Sequence, residues 1–184
     1  MRYASPRLNL DAQIRELILE ASVKPERPTP ATLLSLIAPA IEPHLPRCQF
    51  DPSHYVRHPI HLSDGWEVML IAWEAGQKTP IHDHRGALGS MAVFSGSLIE
   101  ERFETPEGRP ELIDRTARGE GDFSETSATV LHRLIPAKGH SVSLHIYRPP
   151  LREMGIWEPG GMTEIRPSRY DVAADILAEV LCTR

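Results

Sequence analysis

From Trp66 onward the chain is built of short apolar runs set between turn signals, and this pattern restricts the fold more than any other feature. The runs are WEVMLIAW (66–73), SMAVFSGSLIEERF (90–103), ELIDRTA (111–117), ATVLHRLI (128–135) and SVSLHIYRP (141–149). Between and around them stand Ser63-Asp64-Gly65, Glu74-Ala75-Gly76-Gln77, Ser95-Gly96-Ser97 and Pro106-Glu107-Gly108. Short strands at this close spacing form a sandwich or a barrel. Seventeen prolines in 184 residues point the same way, because proline interrupts helices and marks turns.

Helices are expected only outside this region. Residues 9–22 place Leu10, Ile14, Leu17, Ile18 and Ala21 at helical spacing, with Asn9 or Asp11 available as a cap. A proline-rich break, KPERPTP, follows. The pattern then predicts a second helix over roughly 30–41, capped by Thr29, with Pro30 in its first turn and its end before Pro43. Residues 152–167 are rich in glycine and proline and are expected to wrap the surface; 168–183 read as a helix. The expected layout is one domain over 1–184, with a helical segment at 1–50, a β core at 55–150 and a C-terminal extension at 151–184. There is no internal repeat.

A net charge of -5 and a pI near 6.0 imply no broad basic surface, which excludes nucleic acid and anionic membrane as partners. The first residues, MRYASPRLNLDAQIREL, lack an apolar signal core, and no run approaches membrane-spanning length. A cytoplasmic protein is the expectation. Cys48 and Cys182 allow at most one disulfide, and no CxxC pair offers a zinc site.

The segment TPIHDHRG follows the first strong strand. His82 and His84 are two apart, so on a strand both imidazoles leave the same face and approach one metal. Such pairs also occur by chance on surface strands. Here Gly76 lies six before His82, Gly96 twelve after His84, and Gly121 eleven before His132. With these spacings the sequence resembles the cupin superfamily. The resemblance implies a mainly β fold, a small β-barrel of jelly-roll type flanked by N-terminal helices and a C-terminal helix. It also implies a metal at the barrel centre with His132 as a third ligand. The second motif departs from the usual pattern, with Ser127, Thr129 and Pro136 where proline, glycine and asparagine are common. Most cupins add a glutamate ligand five residues after the second histidine. That position is Gly89, so the implied shell is three neutral imidazoles. Six-coordinate Fe(II) would keep three positions open for substrate and oxygen; the same three ligands also suit Zn(II).

In SVSLHIYRPP, Ser143, His145 and Tyr147 alternate with Val142, Leu144 and Ile146. Taken alone, this is an edge strand with its polar face in water. Beside a metal inside a barrel, the same face is a relay in which serine and histidine orient the tyrosine hydroxyl. This strand resembles the cysteine dioxygenase family of thiol dioxygenases, together with Tyr55-Val56-Arg57, Trp73, the IHDH of 81–84, Gly96, Leu131-His132-Arg133 and Pro149-Pro150. The likeness implies that His82, His84 and His132 bind one Fe(II) and that Arg57 pairs with the substrate carboxylate through its planar fork. It places Tyr147 near substrate and oxygen, with His145 and Ser143 behind, and Tyr55 in the same pocket. Some members crosslink that tyrosine to a cysteine at the position of Gly89; glycine cannot, so no thioether is expected. Arg148 is expected on the face opposite Tyr147. Arg85 is either a positive charge at the entrance or a solvated surface residue.

The implied reaction uses O2 and a small-molecule thiol. Three neutral ligands leave the charge of Fe(II) uncompensated, which favours a thiolate over the free thiol of pKa about 8.5. Oxidation of L-cysteine to its sulfinate is the leading reading. Other carboxylated thiols, 3-mercaptopropionate or mercaptosuccinate, are the nearest alternatives. Members preferring mercaptopropionate often carry glutamine where this chain has Arg57, which favours cysteine. A non-catalytic metal-binding cupin and a Zn(II)-dependent isomerase or hydrolase stay open as different classes.

Overall fold

The computed structural model describes residues 6–23, 26–43 and 48–168. The C-terminal helix expected from 168 and Cys182 fall outside these residues, apart from Ser168. Helix α1 runs Pro6–Ser22 and α2 Pro30–Ile41. Eleven strands follow: β1 Val56–Leu62, β2 Glu67–Trp73, β3 Ile81–Asp83, β4 Leu88–Ser95, β5 Ser97–Glu104, β6 Glu111–Gly119, β7 Phe123–Thr126, β8 Leu131–Pro136, β9 Ser141–Arg148, β10 Glu153–Glu158 and β11 Gly161–Pro167.

They form two antiparallel sheets, ordered β1-β2-β9-β4-β7 and β11-β10-β3-β8-β5-β6. This is the cupin-type jelly roll implied by the resemblance to the cupin superfamily. The run 90–103 serves both sheets: it breaks at Gly96, and β4 and β5 belong to different layers. Gly96 has φ +73, and a Cβ there would meet His140 O at 2.4 Å, so this corner requires glycine.

The five-stranded sheet is buried on both faces. Outward, Val68, Leu70, Val142, Leu144 and Ile146 pack under the helices against Ile14, Leu33, Ile37 and Ile41. Each such side chain contributes about 1.5–3 kcal/mol by leaving water. Inward, Met69, Ile71 and Trp73 meet Leu98 and Leu134 of the other sheet. A strand buried on both faces reads as an unbroken apolar run, and residues 68–73 of β2 are one.

The second helix is as expected: Thr29 Oγ1 accepts the N–H of Thr32 at 3.1 Å, and Pro30 opens the first turn. The first helix begins earlier than its apolar spacing shows, at Pro6, so neither Asn9 nor Asp11 is its cap. Asp11 instead meets buried His61 of β1, with Oδ1 2.7 Å from Nδ1, and ties helix to sheet. A side chain that reads as a cap serves a tertiary contact.

Two further expectations change. Strand β9 is no edge: it lies between β2 and β4, and Ser141–Tyr147 are all buried. Residues 152–167 do not merely wrap the surface. They form the β10–β11 hairpin, and β10 pairs with β3, Ile156 standing opposite His82. The glycines that suggested a loop are a turn residue, Gly160, the first residue of β11, Gly161, and a contact residue, Gly155. Among the described residues, no helix is long and apolar enough to cross a membrane.

Candidate metal centre

Strand β3 is short, and its alternation sends His82 inward and Asp83 outward. His84 follows in a tight turn closed by Ala87 N–H donating to His84 O at 3.0 Å. His132 lies on β8 directly opposite His82 in register. All three imidazoles are buried, and one ligand nitrogen from each lies within 4.8 Å of the others. The Nε2 atoms of His84 and His132 are 3.2 Å apart. Two nitrogens about 2.1 Å from one ion and at right angles to each other would be about 3 Å apart, so this separation fits shared coordination.

Each ring is held from behind by its other nitrogen. His82 Nδ1 donates to Pro80 O at 3.1 Å. His84 Nδ1 lies 3.3 Å from Thr126 Oγ1 and His132 Nδ1 3.3 Å from Glu100 Oε1. With every Nδ1 carrying the proton, the three Nε2 lone pairs face one another. That is the arrangement by which proteins fix a metal-binding tautomer. Burial, followed by the neighbouring His132, pushes His82 down to about 3 and His84 well below its ordinary value. His82 and His84 are therefore neutral at physiological pH and offer lone pairs. The donor set fits a divalent transition metal with open positions.

Glu100 was not legible in the sequence. It sits on β5, fully buried, and gathers four partners. Its Oε2 accepts from Ser124 Oγ and from Arg118 Nε, both at 2.7 Å, and its Oε1 lies 3.3 Å from Arg102 Nη2 and from His132 Nδ1. Burial alone would raise its pKa, but hydrogen bonds from His132 and Ser124 outweigh that and bring it down to about 2. A permanently charged carboxylate thus stands behind His132. Asp83 has a comparable duty outside the barrel. It accepts from Trp157 Nε1 at 3.0 Å, Arg85 N at 2.9 Å and Gly155 N at 3.3 Å. A Cβ at Gly155 would meet Asp83 Oδ2 at 2.5 Å, so glycine there lets β10 close on the histidine strand.

The opposite wall carries the relay. Trp73 Nε1 donates to Ser143 Oγ at 2.9 Å; Ser143 Oγ lies 2.8 Å from His145 Nε2, and His145 Nδ1 3.3 Å from Tyr147 Oη. An indole N–H can only donate, so Ser143 Oγ accepts from Trp73 and meets His145 Nε2 with its remaining lone pair or its proton. A neutral imidazole has one N–H and one lone pair, so His145 links Ser143 to Tyr147 by donating to one of them and accepting from the other. Burial, followed by His132 and Arg57, lowers His145 to about 3, which keeps it neutral with one donor and one acceptor. Burial raises Tyr147 above its usual value, so the hydroxyl stays protonated. The Tyr147 ring meets His84 edge-on, with centroids 5.0 Å apart, which brings the relay to the histidine cluster.

Arg57 and Tyr55 complete this wall. Tyr55 packs on Trp73 with ring centroids 4.8 Å apart. Arg57 is buried on β1, with Nη2 3.9 Å from Glu67 Oε1. Glu67 is a second carboxylate that the pattern did not reveal. Arg57 bears electrostatically on His82, His84, His145 and Tyr147, so its charge is felt across the site.

Three peripheral expectations resolve. Gly89 lies opposite Tyr147 in register, and a Cβ there would meet Thr126 Oγ1 at 2.5 Å and the tyrosine ring at 3.1 Å. The position is beside the tyrosine but offers no sulfur for a thioether. Arg148 faces away from Tyr147, stacks over Trp66 at 5.0 Å and donates to Pro28 O at 2.7 Å, holding the interhelical linker. Arg85 is exposed, in a left-handed turn with φ 47, and its Nε lies 3.9 Å from Glu153 Oε1.

The sequence matches the family model described as "Cysteine dioxygenase type I" over residues 4–158. It is 29% identical over 109 residues to the cysteine dioxygenase type 1 of Rattus norvegicus, covering 55% of this chain and 54% of that one. The corresponding protein of Homo sapiens is 28% identical over 109 residues, with the same 55% and 54% coverage. That of Danio rerio is 27% identical over 113 residues, covering 56% of each. The chain thus spans about half the length of the curated relatives it matches. Among solved structures, the protein TT1209 from Thermus thermophilus superposes with a TM-score of 0.50 at 16% identity, covering 58% of this chain and 93% of that one. An uncharacterized conserved protein with a double-stranded beta-helix domain from Klebsiella pneumoniae gives 0.52 at 13% identity, covering 61% and 87%. At these identities the likeness concerns the fold alone.

Proposed function

The chain belongs to the cysteine dioxygenase type I family, and from that premise we propose that it is a thiol dioxygenase that uses Fe(II) to convert L-cysteine and O2 to cysteine sulfinate. One observation carries the reading: three buried imidazoles converge with every Nδ1 engaged from behind, and a hydrogen-bonded tyrosine stands edge-on to one of them. His82, His84 and His132 would hold the iron. When bound, it would supply the redox chemistry by which O2 oxidises the thiol, both oxygen atoms ending on sulfur.

The protein's own groups do the rest. Arg57 presents a planar cation to the substrate carboxylate, which fixes the distance from carboxylate to sulfur. Holding the reactants in one geometry turns an encounter into an intramolecular step. Tyr147 keeps its proton and places its hydroxyl beside the histidine cluster, while the series through His145, Ser143 and Trp73 holds that hydroxyl in position. Met69, Trp73 and Leu134 line the interior with apolar surface and limit access of water.

The test combines metal analysis with turnover. Protein purified without added metal is assayed for iron and zinc, then loaded with Fe(II) and given cysteine, cysteamine, 3-mercaptopropionate or mercaptosuccinate. Cysteine-dependent O2 uptake with matching sulfinate is the expected result. Full zinc occupancy with activity independent of iron would overturn the dioxygenase reading. A preference for mercaptopropionate by orders of magnitude in kcat/KM would move the substrate and leave the reaction.

A further inference from the structure

Glu67 opens β2, has no exposed surface, and points into the barrel in the alternation that also turns Met69, Ile71 and Trp73 inward. Its backbone stands opposite Tyr147 of β9. One carboxylate oxygen faces the Arg57 guanidinium at 3.9 Å. The other accepts the N–H of Leu151 at 2.7 Å, just past the end of β9. A carboxylate so placed is not there for solubility, and its backbone hydrogen bond prevents it from swinging away. It offsets part of the charge of a buried guanidinium.

A guanidinium carries five N–H donors on more than one edge, so a single cation can serve two carboxylates. The substrate carboxylate would then share Arg57 with Glu67. One added negative charge is tolerable beside an Arg–Glu pair. Two are opposed by Glu67 in a buried setting where charges interact strongly.

We propose that Glu67 is a positioning and charge-setting residue for Arg57, and that the pair selects a thiol carrying one carboxylate over a dicarboxylate thiol. This deepens the dioxygenase reading and rests on it for the identity of the ligand. It distinguishes cysteine from mercaptosuccinate by charge, because the Glu67 carboxylate opposes the second negative charge of the dianion.

The variant Glu67→Gln tests it, since the amide keeps an acceptor for Leu151 N–H and removes the charge. Affinities for cysteine and mercaptosuccinate are measured anaerobically by calorimetry on the Fe(II)-loaded protein, and kcat and KM in air. Wild type should bind cysteine more tightly than mercaptosuccinate. In Glu67→Gln the ratio should move towards mercaptosuccinate by about tenfold or more, because like-charge juxtaposition in a desolvated site is costly. The shift should appear in Kd and KM, with kcat on cysteine changing far less. Glu67→Asp keeps the charge and should keep the wild-type order. If Glu67→Gln does not fold, the wild-type order and Glu67→Asp carry the test. An unchanged ratio in Glu67→Gln, or a wild type that prefers mercaptosuccinate, overturns the proposal. Active wild type with an unchanged ratio removes only the role of Glu67. A shifted binding ratio without thiol oxidation keeps that role and removes the dioxygenase reading.

Discussion

The two inner walls of the barrel solve the same problem in different ways. On the wall formed by β3, β8 and β5, each histidine is fixed by a group behind it, and two of those groups come from far along the chain. Glu100 is 32 residues from His132, and Thr126 is 42 from His84. On the wall formed by β9, each polar group is fixed by the next one on the same strand, Ser143 to His145 to Tyr147, two residues at a time. The first wall points lone pairs inward and its protons outward. The second runs a series of hydrogen bonds along the strand to a single hydroxyl. A wall that must present acceptors is braced from outside; a wall that must present one donor is braced in series.

That contrast predicts how each wall fails. The largest effect is expected from Tyr147→Phe, which removes the last donor of the series. Loss of a positioned proton donor typically costs about 10²–10⁴-fold in rate, so kcat should fall within that range while KM and iron content hold. A fall in iron content would show that the two walls are not separate. Next is Glu100→Gln, which weakens the brace of His132 without touching the ligand atom. Metal affinity should drop by about 10–100-fold, as for other partners of metal-bound histidines, read by competition with a chelator. Activity at saturating iron should largely return. Trp73→Phe is smaller: it removes the donor at the head of the series, and one neutral hydrogen bond is worth about 1 kcal/mol. A several-fold loss in kcat is expected, with no change in metal affinity.

A last effect, on stability and not on turnover, is one the two walls share. His82 and His145 are held neutral to about 3, against 6.5 for an unperturbed imidazole. In the window between, the unfolded chain binds more protons than the folded one, so stability is full above 6.5 and is lost as pH falls towards 3. Glu100, lowered from 4.5 to about 2, acts in the same direction over the lower part of that range. The urea midpoint of protein stripped of metal should therefore be lower at about pH 5 than at about pH 7.5. Equal midpoints would mean that these rings are not buried in the neutral form.

The walls also differ in how much of them could be read in advance. The series wall is local, so its alternation was visible: Ser143, His145 and Tyr147 stand out against Val142, Leu144 and Ile146. Even there, one strand could not say which face was wet. The polar face is interior because helices α1 and α2 cover the apolar one. The braced wall was visible only at the ligands. Glu100 and Glu101 are adjacent acidic residues on one strand. The first enters the metal site, while the second pairs with Arg133 and Arg115, and nothing local distinguishes them. Glu67 follows a tryptophan at the head of an apolar run and reads as the polar edge of a strand.

The sequence by itself determined the parts that depend on period and spacing: the strand-rich core, the two N-terminal helices, the His82–His84 pair on one face, and the absence of a fourth ligand or a sulfur at Gly89. These are properties of neighbours along the chain, where backbone geometry dictates which side chains share a face. Only the tertiary structure decided which carboxylates stand behind His132 and Arg57, that β9 is central, and that β10 closes on the histidine strand through Asp83 and Gly155. Those choices depend on which strands become neighbours in space. A buried charge takes its role from the partner it meets there, and that partner is many residues away.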